Sequence, residues 1–417
     1  MAEACGYAVS MSADARISSP PGVNLQAIPA LDGVRAIAVT LVFIFHVYAY
    51  GSGSPSFELF GFDPRPWLST GFVGVYLFFI LSGFLLSLPW ASAYHLATPN
   101  PDTRDYFQRR ARRIMPAYYA HITVLFLVLV PTVHSFDHLL SKNGLLNAFA
   151  HLTFSQYLTP YTSSSFGLNG ALWTLTIEAI FYLVLPLTVR FFIGKSAVPG
   201  LLAAIGLSAL WNFLWQAIPD STLSALTGSS SGLAGIRHFL SLQFPGQIVY
   251  FAMGIALANY HCARLSSTDP TKHRSSLPVF GLVSTLAIMY LITRVDFWGS
   301  VWLHILPPLL AAALGALVIG ATGKGLMTQR ILSSLPARTI GLLSYGIYLW
   351  HLPVIYLVRE ELLPTGLSPT LTFVFMMVAC ALITLLISQI SFTFIERPFL
   401  RPPEIRKSPD NHGALQH

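Results

Sequence analysis

The chain predicts an all-α fold: a polytopic helical membrane protein of about ten transmembrane helices around a central polar cavity. Three observations predict it. Of the 417 residues, 54% are hydrophobic and only 10% charged, against roughly 25% charged in an ordinary soluble domain. Apolar runs long enough to cross a hydrocarbon core of about 30 Å recur from end to end, and no segment shows the ten-residue alternation of a lipid-facing barrel strand. Finally, an arginine and a histidine, Arg35 and His46, sit in the first apolar run among residues that otherwise avoid charge. Ionisable groups in a spanning helix normally face the protein interior or a water-filled cavity, which makes the pair a functional-site candidate.

The elements follow in order. Residues 1–29 are rich in Ser, Ala and Pro and lack the basic and apolar regions of a cleaved signal, so a disordered cytoplasmic tail is expected there. The transmembrane domain is expected over 30–400. Its first span, at about 31–50, carries Arg35 and His46; their spacing of eleven positions is about 16 Å of rise and three turns plus roughly 20°, so both point from one helix face at different depths. The second span, at about 71–90, contains Gly71, Gly74, Ser82 and Gly83, small residues that let helix backbones approach closely, and packing is the first reading of them.

The third span, at about 114–132, is preceded by Arg104, Arg109, Arg110, Arg112 and Arg113 and opens with Pro116, Tyr118 and Tyr119. The fourth, at about 170–190, holds Trp173 and Glu178. The next four are placed at about 198–217, 244–261, 277–293 and 301–320; the ninth, at about 339–358, contains His351, and the tenth runs over about 369–392. Glu396-Arg397-Pro398, Pro402 and Pro403 then stop the helix, and a disordered cytoplasmic tail is expected over 401–417.

The formal net charge of +7 is a topology signal rather than a nucleic-acid footprint. With the amino terminus inside, all of the 24 Lys and Arg residues except Arg65, Lys142, Arg237, Arg294 and Arg359 fall on the cytoplasmic side, as the positive-inside rule requires. Both termini are then cytoplasmic, in the cytoplasmic membrane. Three longer loops, at about 51–70, 133–169 and 218–243, fall outside. The second mixes His134, His138, Lys142 and His151 with apolar residues near helical spacing, and reads either as an ordinary surface helix with solvated histidines or as an amphipathic helix in the interface. Cys5, Cys262 and Cys380 are scattered without metal-ligand spacing, so neither a disulfide framework nor a metal site is expected.

Two groups of residues carry the chemistry. Counted along their helices, His46, Glu178 and His351 reach similar depths in the outer half, where they could converge. A histidine titrating near neutrality can take a proton from a hydroxyl, and a carboxylate on its other nitrogen, from Glu178 or Asp32, would hold its tautomer. The structural alternative is that these groups merely tie helices together through buried hydrogen bonds. At the inner mouth of the third span the arginines make an anion site: guanidinium groups match phosphate oxygens bidentately, and Tyr118 and Tyr119 offer a stacking surface for a nucleotide-like ligand. Contact with anionic lipid heads is the plainer account of that cluster. Trp173, near the outer end of its helix, is a candidate pocket wall.

The strings in which these residues stand resemble the acyltransferase family 3 membrane proteins, over nearly the whole chain. The matching strings are Leu31-Asp-Gly-Val-Arg35 with the R-x10-H spacing to His46, the glycine-bounded run Gly71 to Phe84, and Phe107 to Pro116. Leu172-Trp-Thr-Leu-Thr-Ile-Glu178, Tyr345-Gly-Ile-Tyr-Leu-Trp-His351 and Glu396-Arg-Pro398 follow in the family's order. Threonines replace frequent serines in the fourth-span string, and glycine follows Tyr345 where serine is common. The resemblance implies transfer of an acyl group from acyl-CoA on the cytoplasmic side to a hydroxyl at the outer side, on polysaccharides, lipid-linked saccharides, nodulation signals or macrolides. It also implies that Arg35 and His46 are essential, that Arg110 and Arg113 form the R-x-x-R pair engaging coenzyme A, and that Glu178 is a functional carboxylate. No esterase-like domain follows the last helices within these residues, which leads to an expectation of one-step transfer.

The expected activity is therefore an O-acyltransferase, with acetyl-CoA or another acyl-CoA as co-substrate and a carbohydrate or lipid-linked saccharide as acceptor. Arg109, Arg110, Arg112, Arg113 and Tyr118 are expected to hold the donor. His46, Arg35 and Glu178 are expected to carry the reaction, with Trp173, His351 and Asp32 at the acceptor. His46 acts as general base, or alternatively as a nucleophile forming an acyl-histidine. The reading from another class is a proton-coupled transporter, because intramembrane His, Glu and Arg also mark proton relays.

Overall fold

The computed structural model describes residues 28–400 apart from 57, 59–60, 164, 228–231, 268–275 and 324–326. The tails expected at 1–29 and 401–417 lie outside the described residues, except Ile28 and Pro29. Among the described residues the regular elements are helices, and nine are long and apolar enough to cross a membrane. In chain order the membrane helices are α1 (Pro29–Gly51), α2 (Val73–Leu96), α3 (Thr103–Val133), α4 (Gly170–Phe192), α5 (Gly194–Ala217) and α6 (Leu233–Leu265). They continue with the shorter α7 (Leu277–Ile292), then α8 (Trp302–Ala321), α9 (Leu335–Leu362) and α10 (Pro369–Leu400). All ten expected spans are helical, but α7 has 16 residues, about 24 Å of rise, short of a core of about 30 Å. The count of spans by length is therefore nine rather than ten.

Local chemistry fixes the helix starts. A proline in the first turn opens α1, α9 and α10, where its missing N–H would have had no partner anyway. Asp102 caps α3 by accepting from the Asp105 N–H at 2.8 Å, and Ser368 caps α10 by accepting from Leu371 at 3.3 Å.

The bundle is organised around α2, whose apolar window is 72% buried, whereas that of α10 is 17% buried and faces outward. Small residues let α2 lie this deep. A Cβ added to Gly74 would meet the Ala38 carbonyl of α1, and one added to Gly83 would meet the Phe251 carbonyl of α6. The glycines read from the sequence as packing residues do pack, in the close-approach manner of membrane helices.

α1 and α9 run side by side in the same direction. Gly341 abuts the carbonyl of Asp32, His351 meets His46 further along both helices, and Arg359 donates to the carbonyl of Tyr50 at 2.8 Å. Directly after His46, α1 passes from α-helical (Pro29–His46) to π-helical geometry (Val47–Gly51), a local form often found at functional sites.

The segment between α3 and α4 forms two helices, Phe136–Leu140 and Lys142–Leu152. The second is amphipathic, with Leu145, Leu146, Phe149 and Leu152 exposed and Asn147 and His151 buried. His151 is thus not a solvated surface histidine: its Nδ1 donates to the Asn147 carbonyl at 2.8 Å, and Ser165 Oγ stands 2.6 Å from Nε2. The segment builds a second core with α3, α4 and α9 around Tyr118, Leu125, Leu172 and Leu349. Asn169, just before α4, donates to the Leu349 carbonyl at 2.9 Å and lies 3.0 Å from His121 Nε2. α4 consequently begins level with Leu349, inside the bundle rather than at its surface.

Candidate active site

A cavity of about 140 Å³ lies between α1, α2, α3, α4 and α9. It is smaller than the roughly 300–1,000 Å³ of a site that encloses a drug-sized ligand, and it suits a narrow chain or a small group. Its charged lining is Arg35 from α1, Arg110 and Arg113 from α3, and Glu178 from α4. Arg35 Nη1 is paired with Asp32 Oδ1 at 2.8 Å, one turn earlier on the same helix. Neither Arg110 nor Arg113 takes part in an ion pair among the described residues. The buried Nε of Arg110 has no hydrogen-bond partner among the described residues. A buried donor of this kind carries a desolvation cost until an acceptor reaches it, and a bound anion would supply one.

Helix periodicity divides the arginine cluster. Arg110 and Arg113, three residues apart, face the cavity, while Arg109 and Arg112 are exposed on the other side of α3. Glu178 accepts a hydrogen bond from Ser82 Oγ of α2 at 2.7 Å. Ser82, Tyr182, Ser344 and Tyr345 are lining residues that sequence reasoning did not single out for chemistry. Ser82 was visible as a polar residue within an apolar span, but only its pairing with a carboxylate 96 positions away gives it a role.

Above this cavity stands a histidine pair. His351 Nε2 lies 3.1 Å from His46 Nδ1, with ring centroids 4.8 Å apart. His46 Nδ1 is also 2.9 Å from the Val42 carbonyl oxygen, and its ring stacks on Tyr50 at 5.7 Å. His351 Nδ1 is 2.8 Å from the Tyr348 carbonyl oxygen. Tyr348 joins the two regions: its ring lines the cavity and lies 5.7 Å from that of His351, while its hydroxyl donates to the Ala171 carbonyl at 2.8 Å.

Several expectations change. Glu178 does not stand level with His46. α4 starts at the depth of Leu349, and eight further residues carry Glu178 about 12 Å deeper, to Ser82 and the arginines. The partner of the His46 Nδ1 is accordingly His351, not Glu178 or Asp32; Asp32 is engaged by Arg35. His351, expected at the acceptor, faces His46. Tyr118 is fully buried, its hydroxyl donates to the His151 carbonyl at 2.8 Å and its ring stacks on Phe154 at 4.1 Å, so it is a packing residue without a free face for a donor. Trp173 stands behind the cavity wall, edge-on to the lining residue Phe79 at 6.1 Å. Among the described residues no three His, Cys, Asp or Glu side chains gather to hold a metal, and Cys262 and Cys380 are buried free thiols.

Fold and site define a multi-pass membrane protein with a cationic cavity and, on the same α1–α9 seam, a fixed pair of imidazoles. Residues 28–389 match the acyltransferase 3 family, described as an acyltransferase domain, and the chain belongs to that family. It is 28% identical over 388 residues to the peptidoglycan O-acetyltransferase OatA of Listeria monocytogenes, covering 89% of this chain and 55% of that protein. It is 26% identical over 396 residues to the O-acetyltransferase OatA of Staphylococcus aureus, covering 89% and 57%. The chain thus spans about half the length of the curated relatives it matches. No solved structure matches it.

Proposed function

We propose that the chain is an O-acyltransferase, in the first instance an acetyltransferase, that takes its acyl group from acetyl-CoA on the cytoplasmic side and delivers it to a carbohydrate hydroxyl on the outer side. The observation that carries this reading is the cavity itself: three arginines converge in it, and two of them lack an ion-pair partner among the described residues. Coenzyme A presents phosphates that a guanidinium binds bidentately, and the chemistry it supplies when bound is an activated thioester carbonyl. Arg110 and Arg113 would hold its phosphate end. Arg35, its charge partly offset by Asp32, would line the path upward, and Arg109 and Arg112, on the exposed face, would meet anionic lipid heads.

Between Arg35 and His46 lie about 16 Å of helix, so donor binding and proton removal are handled at different depths. His46 takes the proton of the acceptor hydroxyl as it attacks; a general base in this position contributes about 10²–10⁴-fold. Glu178, held by Ser82, stands with the arginines and balances their charge. The relatives' names make glycan hydroxyls, those of peptidoglycan first, the acceptors to test. Both termini on the cytoplasmic side of the cytoplasmic membrane, as the charge asymmetry favours, requires α7 to cross as well, by local thinning of the bilayer around it.

The purified chain should release free coenzyme A from acetyl-CoA only with a glycan acceptor present, with an ester appearing on the glycan and both signals lost in His46→Ala. An acetyl label retained on His46 without acceptor would identify it as nucleophile instead of base. If coenzyme A release never exceeds background while His46→Ala abolishes solute uptake into vesicles, the protein is a proton-coupled transporter and the acyltransferase reading fails.

A further inference from the structure

We infer that His351 is the positioning residue of His46: it accepts the Nδ1 proton of His46 and thereby leaves Nε2 of His46 as the atom that removes the acceptor's proton. The inference rests on the acyl-transfer reading and gives its base a reacting atom and an orienting partner.

The hydrogen bonds allow one consistent assignment of protons. His351 Nδ1 lies 2.8 Å from the Tyr348 carbonyl and 3.2 Å from that of Ile347. Carbonyl oxygens only accept, so this nitrogen carries a hydrogen. In the neutral ring Nε2 is then a lone pair, and it faces His46 Nδ1 at 3.1 Å. The Val42 carbonyl, 2.9 Å from the same His46 nitrogen, is a second acceptor. His46 Nδ1 therefore carries its own hydrogen, shared between two acceptors, and Nε2 is left with its lone pair. The opposite assignment sets lone pairs against three carbonyl oxygens at once.

This arrangement does the orienting work of the carboxylate in a Ser-His-Asp triad, which fixes the imidazole tautomer and also stabilises the imidazolium. A neutral imidazole supplies the first function without the second. The carboxylates nearby are committed elsewhere: Asp32 to Arg35, Glu178 to Ser82, Asp63 to Arg65 and Glu360 to Arg359. The other ionisable groups on this side are Tyr48 and Tyr50 on α1 itself, and Tyr348, Tyr356 and Arg359 on α9. To these are added Tyr76 on α2, His121 on α3, His304 on α8 and Cys380 on α10; His121 stands 3.0 Å from the Asn169 amide nitrogen with its ring edge-on to that of Trp350. Tyr76 is stacked on Tyr250 at 4.2 Å, and Tyr50 alone of these lies ring to ring with His46. Among the described residues the polar contacts of the His46 ring are the Val42 carbonyl and His351, with no carboxylate, and the proton is held only while it passes from acceptor to leaving group.

The test is steady-state kinetics of the full chain in lipid nanodiscs across pH, with acetyl-CoA and a peptidoglycan glycan-strand fragment, for wild type, His46→Ala and His351→Ala, Gln and Glu. His351→Ala should lower kcat about 100-fold, with donor KM within about twofold. His351→Gln, whose amide oxygen can accept the same proton, should recover at least about a tenth of wild-type kcat. His351→Glu, which adds the missing negative charge, should move the acid limb of kcat to higher pH by about one unit. Wild-type kcat in His351→Ala, or Gln no better than Ala together with an unmoved limb in Glu, overturns the inference. Full kcat in His46→Ala overturns the underlying reading as well.

The tautomer can also be observed without turnover. The ¹⁵N signals of His46, identified by their loss in His46→Ala, should show Nδ1 protonated and Nε2 bare in wild type, and a tautomer mixture in His351→Ala. Nε2 protonated in wild type overturns the inference whatever the acceptor.

Discussion

The cationic cavity and the histidine pair share the seam between α1 and α9 yet are built in opposite ways. In the cavity, charge is concentrated and partly unmatched: two arginines without ion pairs, one buried nitrogen without an acceptor, and space beside them. In the pair, every ring nitrogen that faces another polar atom is matched, with backbone carbonyls and each other. Incomplete satisfaction is what a binding site for an anion requires, because the ligand supplies the missing partners. Complete satisfaction with one free lone pair is what a base of fixed orientation requires. On the proposed reading, binding and proton removal are thus separable along one helix.

Four experiments bear on that contrast. The largest effect is expected at the pair: His46→Ala should reduce kcat by about 10²–10⁴-fold and leave donor KM unchanged, as measured by coenzyme A release. At the cavity the signature reverses. Arg113→Ala or Arg110→Ala should raise donor KM about 10- to 100-fold, the worth of one or two charged hydrogen bonds, while the exposed Arg109→Ala stays within about threefold. Equal losses of donor binding in His46→Ala and Arg113→Ala would collapse the two regions into one.

The remaining two effects concern neither region and serve as controls on them. Tyr118→Phe should lower the thermal stability of the solubilised protein by about 1 kcal/mol, one hydrogen bond to a buried carbonyl, without altering donor KM. The buried His151 yields a pH effect of its own: burial holds its imidazole down to about 4, against about 6.5 in an unfolded chain. The unfolded state thus binds the extra proton first, so stability is full above about pH 6.5 and is lost as pH falls towards 4. Tm should decline over that window, and His151→Gln should flatten the decline.

Much of this was legible in the sequence, and for physical reasons. The apolar runs located the helices, because lipid demands length and hydrophobicity in each one separately. The spacing of Arg35 and His46 gave their common face, because helical periodicity is local. Periodicity also divides Arg110 and Arg113 from Arg109 and Arg112, but only the fold says which face looks inward. The depth of Glu178 was misjudged because counting residues from a helix end assumes that the end lies at the surface. α4 starts instead where Asn169 is tied to Leu349, 180 positions along the chain. His351 appeared as one more intramembrane histidine. Its pairing with His46 spans 305 positions, and no local pattern encodes that. Tyr118 misled for the same reason: a tyrosine beside arginines resembles a stacking platform until the His151 carbonyl arrives from another segment.

The π turn at Val47–Gly51 has a consequence of its own. It accommodates one residue more than an α turn, and it does so on the outward side of His46, so the portion of α1 that carries Arg35 and His46 keeps its phase whatever happens beyond. Drawn into α winding with no residue removed, the stretch would swing the following chain by about 100°, carrying Tyr50 off the imidazole and its carbonyl away from Arg359. The helix below, with Arg35 and His46, would be untouched, so the one extra residue of this turn sets the direction of the outward rim independently of the groups beneath it.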